Sequence, residues 1–199
     1  MRTRRRGLSL LQITEWLLLA VAVVCLEWYG LRMYEINRRQ TAATATLDRE
    51  LSDRRLSGEE PPSTVPPGAL IGRLDIPRLH ISAPVESGDD PDVLDFAVGY
   101  LPDTPLPWKP GNSGLAAHRD RLFRPLEGIR IGDEIRLSTG HGNLQYTVSR
   151  TLIVNPQDVW VLNPTTDADL TLITCFPFTY VGHAPQRFVV QAKKIQPAL

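Results

Sequence analysis

"TLITCFPFTYVGHAPQRFVV", residues 171–190, reads as two β-strands joined by a loop. β-Branched and apolar residues fill both ends, and proline and glycine interrupt the middle. The first strand ends in Cys175 and the second begins at Arg187. One other cysteine exists, Cys25, far upstream. A chain this sparing with sulfur sets a lone thiol at a strand end, with an arginine facing it across a loop.

The same texture extends on both sides. "ALIGRLDIP" (69–77) and "LHISAPV" (79–85) are short apolar pieces ended by proline or turn residues, as strands are. "DPDVLDFAVGYL" (90–101) suggests a helical turn or two capped by Asp90 or Asp92. "SGLAAH" (113–118) is a strand of small residues, and "RLFRPLEGIRIGDEI" (121–135) a turn leading into the next. "EIRLST", "LQYTVSRTLIV", "DVWVL", "DLTLITC" and "RFVVQAKKI" continue the series to residue 195. "HGN" at 141–143 marks a hairpin turn between Leu137 and Leu144. Roughly eight short strands with little helix predict a mainly β fold, a closed or nearly closed barrel with a sandwich as runner-up.

Upstream of residue 69 the chain has a different character. "LSLLQITEWLLLAVAVVCLEWYGLRMY" (8–34) carries only Glu15 and Glu27 as charges up to Leu31, enough to cross a hydrocarbon core of roughly 30 Å as a helix. Trp16, Trp28 and Tyr29 sit where an interfacial aromatic belt would lie. Arg2, Arg4, Arg5 and Arg6 precede this run and predict a cytoplasmic amino terminus. No small-x-small cleavage site follows the apolar core, so the segment reads as an uncleaved signal-anchor, not a removed leader or a soluble amphipathic helix. The predicted organisation is a basic end and transmembrane helix over 1–34, a polar and proline-rich stalk over 35–68, and a barrel domain over 69–199. Location then follows: cytoplasmic membrane, single pass, with the barrel outside.

The bulk numbers bound the function. Formal net charge is zero, and removing the four leading arginines leaves −4, which argues against a nucleic-acid partner. Hydrophobic content of 42% is sufficient for one packed domain. Neither CxxC nor HxxxH spacing occurs, so no metal site is expected.

A cysteine nucleophile needs its thiolate favoured by a cation, an acid for the leaving group and a donor for the oxyanion. Arg187 lies twelve residues beyond Cys175, and pairing of the two strands would bring them together. A guanidinium stays charged, so it suits oxyanion binding better than proton transfer. The acid must then be one of His80, His118, His141 and His183. His118 stands out, closing a small-residue strand and followed by the polar pair Arg119 and Asp120, whereas the others sit in turns or loops. Taken singly, a histidine more often has an ordinary surface or core role, and a buried cysteine is more often packing. The residues alone point to a cysteine-dependent acyl transferase or peptidase.

"TLITC" followed by "APQRFVV", with "GNSGLAAHRD" upstream, resembles the sortase family of membrane-anchored cysteine transpeptidases. "CFPF", the run before the arginine and the amino-terminal anchor are most similar to class D. The resemblance spans about residues 69–195, and its motifs come in the expected order; Ala117 stands where glycine is more usual. It implies a closed eight-stranded sortase β-barrel with short helices, in which Cys175 attacks the carbonyl after the threonine of an LPxTG-like sorting signal. It also implies that His118 moves the proton and that Arg187 holds substrate and oxyanion. The partners implied are exported proteins bearing such a signal and an amine from a cell-wall precursor or a protein lysine. Thr174 and Asp120 are candidates for tuning the site, against plain readings as a strand residue and a cap. Calcium dependence occurs in such a family, but no dedicated acidic cluster calls for it, and no cofactor is expected. The alternatives are a sortase-fold hydrolase, since water and amines resolve the same acyl-enzyme, and a non-catalytic envelope assembly factor. An L,D-transpeptidase is disfavoured because no "SHGC"-like motif is present.

Overall fold

The computed structural model describes residues 12, 14–31, 34, 49, 53, 62–180 and 182–195. The four leading arginines and most of the predicted 35–68 stalk, all but residues 49, 53 and 62–68, lie outside these. Helix α1, Thr14–Leu31, is 18 residues long. At 1.5 Å per residue it extends about 27 Å, and it is apolar enough to cross a membrane. Its large side chains, including Trp16, Trp28 and Tyr29, are exposed, as a lipid-facing helix requires.

The strands among the described residues are β1 (Leu70–Ile76), β2 (Ile81–Ser87), β3 (Val98–Tyr100), β4 (Gly111–Ala116), β5 (Glu134–Thr139), β6 (Gly142–Val154), β7 (Ala168–Phe176) and β8 (Gln186–Lys194). They close into a barrel in the order β1-β2-β3-β4-β7-β8-β6-β5, with β5 returning to β1. β4 and β7 run parallel, as do β2 and β3, while β7 and β8 form an antiparallel pair. Period-2 patterning explains the closure: Leu170 and Leu172 of β7, Val190 and Ala192 of β8, and Leu115 of β4 fill the interior. Their alternates, such as Ile173 and Val189, face outward.

Two elements differ from the sequence reading. "DVWVL" is no strand; Val159–Leu162 is a 3-10 turn on the outside of the barrel. There Val161 is buried under the turn while Val159 and Trp160 stay exposed, so a hydrophobic run of strand character packs on one side only. Conversely Val98–Tyr100, expected near a helical turn, is β3, because Val98 and Tyr100 point into the core around Gly99. The helical turn is confined to α2, Pro91–Leu94, with Asp90 as N-cap accepting from the amides of Asp92 and Val93. In the β5–β6 hairpin Leu137 faces Leu144 as predicted, but the two-residue turn is Gly140–His141, one residue early. Gly142, at φ +122°, starts β6.

The end of the proline-rich stretch lies on the barrel. Val65 packs against the core, and Lys109 Nζ donates to the Ser63 carbonyl at 3.2 Å. Ser63 and Lys109 mark the pole where β4 begins, so the chain enters at the end opposite the last residues of β4 and β7.

Candidate active site

The nucleophile candidate and the arginine are register partners. Cys175 on β7 pairs with Arg187 on β8, and cross-strand partners share a face. That face is the outer one, because Thr174 between its neighbours is 3% exposed and points inward. On the other side β4 runs parallel to β7 with Ala116 opposite Ile173. The Ala117 amide continues the ladder to the Ile173 carbonyl at 3.3 Å, and Thr174 Oγ1 donates to the Ala117 carbonyl at 2.7 Å. The next step of that register brings His118 to the level of Cys175. Cys175 and Arg187 therefore share one rung, and His118, two residues past the end of β4, follows at that level on the other side of the thiol.

Both flanking residues are held by backbone bonds. The His118 carbonyl accepts from the amides of Arg121 and Phe123, and Phe123 is fully buried beneath. Arg187 Nη1 donates to the carbonyls of Ala184 and Gln186 at 3.3 and 3.0 Å. Its Nε and Nη2 have no partner among the described residues and remain available to an oxyanion.

A groove of about 280 Å³ opens at this rung, lined by Ala116, Ile173, Val189, Leu101 and Leu162 and by Arg187 itself. Gly114 lies behind two of the lining side chains: a Cβ there would come within 2.8 Å of both Leu101 Cδ1 and Leu162 Cδ2. The 3-10 turn Val159–Leu162 forms one wall, held by Asn112 Nδ2 and Gln191 Nε2, which both donate to the Val161 carbonyl. A wider cavity of about 520 Å³ lies among Trp108, Lys109, Asp167 and Lys193. It sits at the start of β7, about 20 Å from Cys175 along the strand, and has no cysteine or histidine in its lining. The smaller groove reaches the rung through Arg187, with Cys175 and His118 beyond its lining.

The other expected residues separate. His80 is a left-handed residue (φ 53°) ending a 3-10 turn, and His141 packs edge-on against Trp108 at 4.5 Å. His183 is exposed in the 177–185 loop, and Cys25 is exposed on α1. Asp120 is exposed and caps no helix. Among the described residues no group of three or more His, Cys, Asp or Glu side chains gathers to hold a metal.

Sequence reasoning missed the groove wall and one loop tether. Arg119 Nη2 donates to the carbonyls of Tyr180 and Gly182 at 2.7 and 2.9 Å. Its position beside His118 was visible, but its partners lie more than 60 residues away.

The Sortase domain family model matches residues 74–195. The chain belongs to the sortase family. Sortase D of Bacillus subtilis strain 168 is 34% identical over 129 residues, covering 64% of this chain. The match spans 65% of that relative's length, just under two thirds. Among solved structures, the Clostridium perfringens sortase D5 transpeptidase has a TM-score of 0.67 at 24% identity, covering 79% of this chain and 98% of its own. That likeness speaks for the sortase fold. Sortase C1 of Streptococcus suis superposes with a TM-score of 0.61 at 28% identity, covering 66% of this chain and 75% of its own. The class D resemblance read from the sequence is borne out by the Bacillus subtilis relative, a sortase D.

Proposed function

We propose that the chain is a membrane-anchored transpeptidase acting on exported proteins that carry an LPxTG-like signal. The observation that carries this reading is the shared rung of His118, Cys175 and Arg187 at the mouth of an apolar groove. The groove suits the leucine and proline of such a signal, leaving the threonine carbonyl at Cys175. The Cys175 thiolate forms a C–S bond to that carbonyl carbon, and the oxyanion is met by the unpartnered donors of Arg187. The amide C–N bond then breaks, and the departing amine takes its proton from His118. In the second half a primary amine attacks the thioester, giving its proton to His118 as the C–N bond forms and the C–S bond breaks. Every proton and electron pair in this scheme is handled by the chain's own side chains, so we propose that no cofactor is needed. The amine comes from a cell-wall precursor or a protein lysine.

The anchor is α1, with the basic end in the cytoplasm and the barrel outside. Protease added to spheroplasts is expected to digest the barrel, and protection would reverse this topology.

The direct test incubates the full chain, in detergent, with an LPxTG-type peptide and reads intact mass. A thioacyl adduct on wild type, absent in Cys175→Ala with an unchanged melting curve, is expected. Turnover by Cys175→Ala would overturn the cysteine mechanism, and release of acid alone despite added amine would favour the hydrolase.

A further inference from the structure

We propose that Arg119 is a positioning residue that sets how the acyl-enzyme is resolved, by holding the 177–185 loop as a wall of the site for the incoming amine. The proposal rests on the transpeptidase reading above.

The direction of the groove assigns the two sides of the thiol. Ile173, Val189 and Ala116 line it on the amino-terminal side of Cys175 along β7, so the acyl part of the substrate lies there. The leaving and attacking amines must then occupy the opposite side of the carbonyl, beside His118 and beyond the end of β7. That space is bounded by the loop joining β7 to β8.

The loop is tethered unevenly. At its start Phe178 is 6% exposed and packs on Phe188 with ring centroids 5.3 Å apart. At its end Arg187 holds the carbonyls of Ala184 and Gln186. Between these, Tyr180 is 48% exposed, and Gly182 and His183 are exposed too. Among the described residues, the side chain that holds this middle part is Arg119, through two carbonyls converging on one guanidinium nitrogen. Gly182, at φ +93°, has the left-handed backbone that glycine accepts without strain.

Arg119 follows His118 directly, so one short segment carries both the proton-transfer group and the loop clamp. Water needs no wall to reach a thioester, whereas a peptide amine must be held in line. Loosening the clamp should therefore weaken amine capture while leaving acylation largely intact.

The test uses the full chain in detergent micelles, an LPxTG-type fluorogenic peptide, and triglycine or hydroxylamine as the amine. In Arg119→Ala the KM for triglycine should rise about tenfold or more, with hydrolysed product gaining at the expense of transfer product. The kcat/KM for the peptide should stay within about twofold, and hydroxylamine, too small to need the wall, should resolve the adduct at the wild-type rate. Arg119→Gln, too short to span both carbonyls, should behave alike. An unchanged triglycine KM in either folded variant overturns the proposal. So does an equal loss with both amines, or failure of both variants to fold, each of which makes Arg119 structural. A wild-type chain that never cleaves the peptide would instead remove the transpeptidase reading.

Discussion

The hydroxyl of Thr174 donates to the carbonyl oxygen of Ala117 at 2.7 Å, tying the residue before Cys175 to the residue before His118. This bond crosses the β7–β4 junction from a side chain only 3% exposed. Thr174→Val keeps the shape and leaves the carbonyl unpaired, at a cost of about 1–3 kcal/mol. Turnover is expected to fall about tenfold as the rung loosens, because misplacement by a fraction of an ångström is costly in catalysis. Thr174→Ser should retain most activity. Wild-type kcat/KM in Thr174→Val would reduce the residue to strand packing.

Arg187 uses Nη1 to hold its own loop, leaving Nε and Nη2 for substrate. Lysine keeps the charge but cannot serve both tasks from one ammonium. Arg187→Lys should lower kcat by about two orders of magnitude or more, the scale of a lost oxyanion donor. Near-normal steady-state turnover would mean that the arginine supplies only a general positive field.

Asp133 is 8% exposed and accepts from Arg78 Nε and Nη2 and from the Arg130 amide. The hydrogen bonds from Arg78, above all, hold its carboxyl below the usual carboxylate range. A lowered folded value means that its stabilisation is complete above about pH 4, the unfolded carboxylate value, and lost as pH falls through the folded one. Asp133→Asn should therefore lower Tm clearly near neutrality, with the gap to wild type closing in strong acid. A gap that stays constant from neutral pH downward would contradict this.

Two glycines on the outer face should respond differently to alanine. At Gly114 the new methyl meets the flexible ends of Leu101 and Leu162, which can swing into the groove. Gly114→Ala should raise the KM for the sorting peptide several-fold, on the order of 1 kcal/mol of lost binding, with a small change in Tm. At Gly99 the methyl runs into the Gly88 carbonyl, which is backbone and cannot yield cheaply. Gly99→Ala should cost about 1–3 kcal/mol of stability, read as a fall in Tm. The reverse order of effects would place the groove elsewhere.

"LPDTP", residues 101–105, matches the first four positions of an LPxTG signal within the chain itself. It is folded as a turn: Thr104 N and Oγ1 both bond the Leu101 carbonyl, and Tyr100 donates to the Thr104 carbonyl. Thr104 Oγ1 also accepts from the Gly114 amide at 2.9 Å. A hydrogen-bonded turn with Thr104 buried and followed by Pro105 cannot present an extended scissile bond. Prolonged incubation of wild type should show no mass change at Thr104, and a cut there dependent on Cys175 would make the segment a pseudosubstrate.

Strand identity was readable where side chains alternate strongly, as in "DLTLITC" and "RFVVQAKKI". It failed where the run was short or one-sided. Val98–Tyr100 has three residues, too few to show a period, and earns its place from partners on β2 and β4. "DVWVL" has strand composition, but Asn112 and Gln191 capture the Val161 carbonyl and hold the segment as a turn.

By itself the sequence pointed to cysteine chemistry through the resemblance of its motifs around His118, Cys175 and Arg187 to the sortase family, because such motifs are local signals. It also determined the apolar helix and the β character, since both follow from composition and period along the chain. The tertiary structure alone decided that His118 stands at the rung of Cys175, since parallel pairing of β4 with β7 is a contact across nearly 60 residues. It likewise decided the groove between Leu101 and Leu162 and the grip of Arg119 on the carbonyls of Tyr180 and Gly182. Such contacts form when barrel closure brings distant strands together, and no periodicity within either segment encodes its partner.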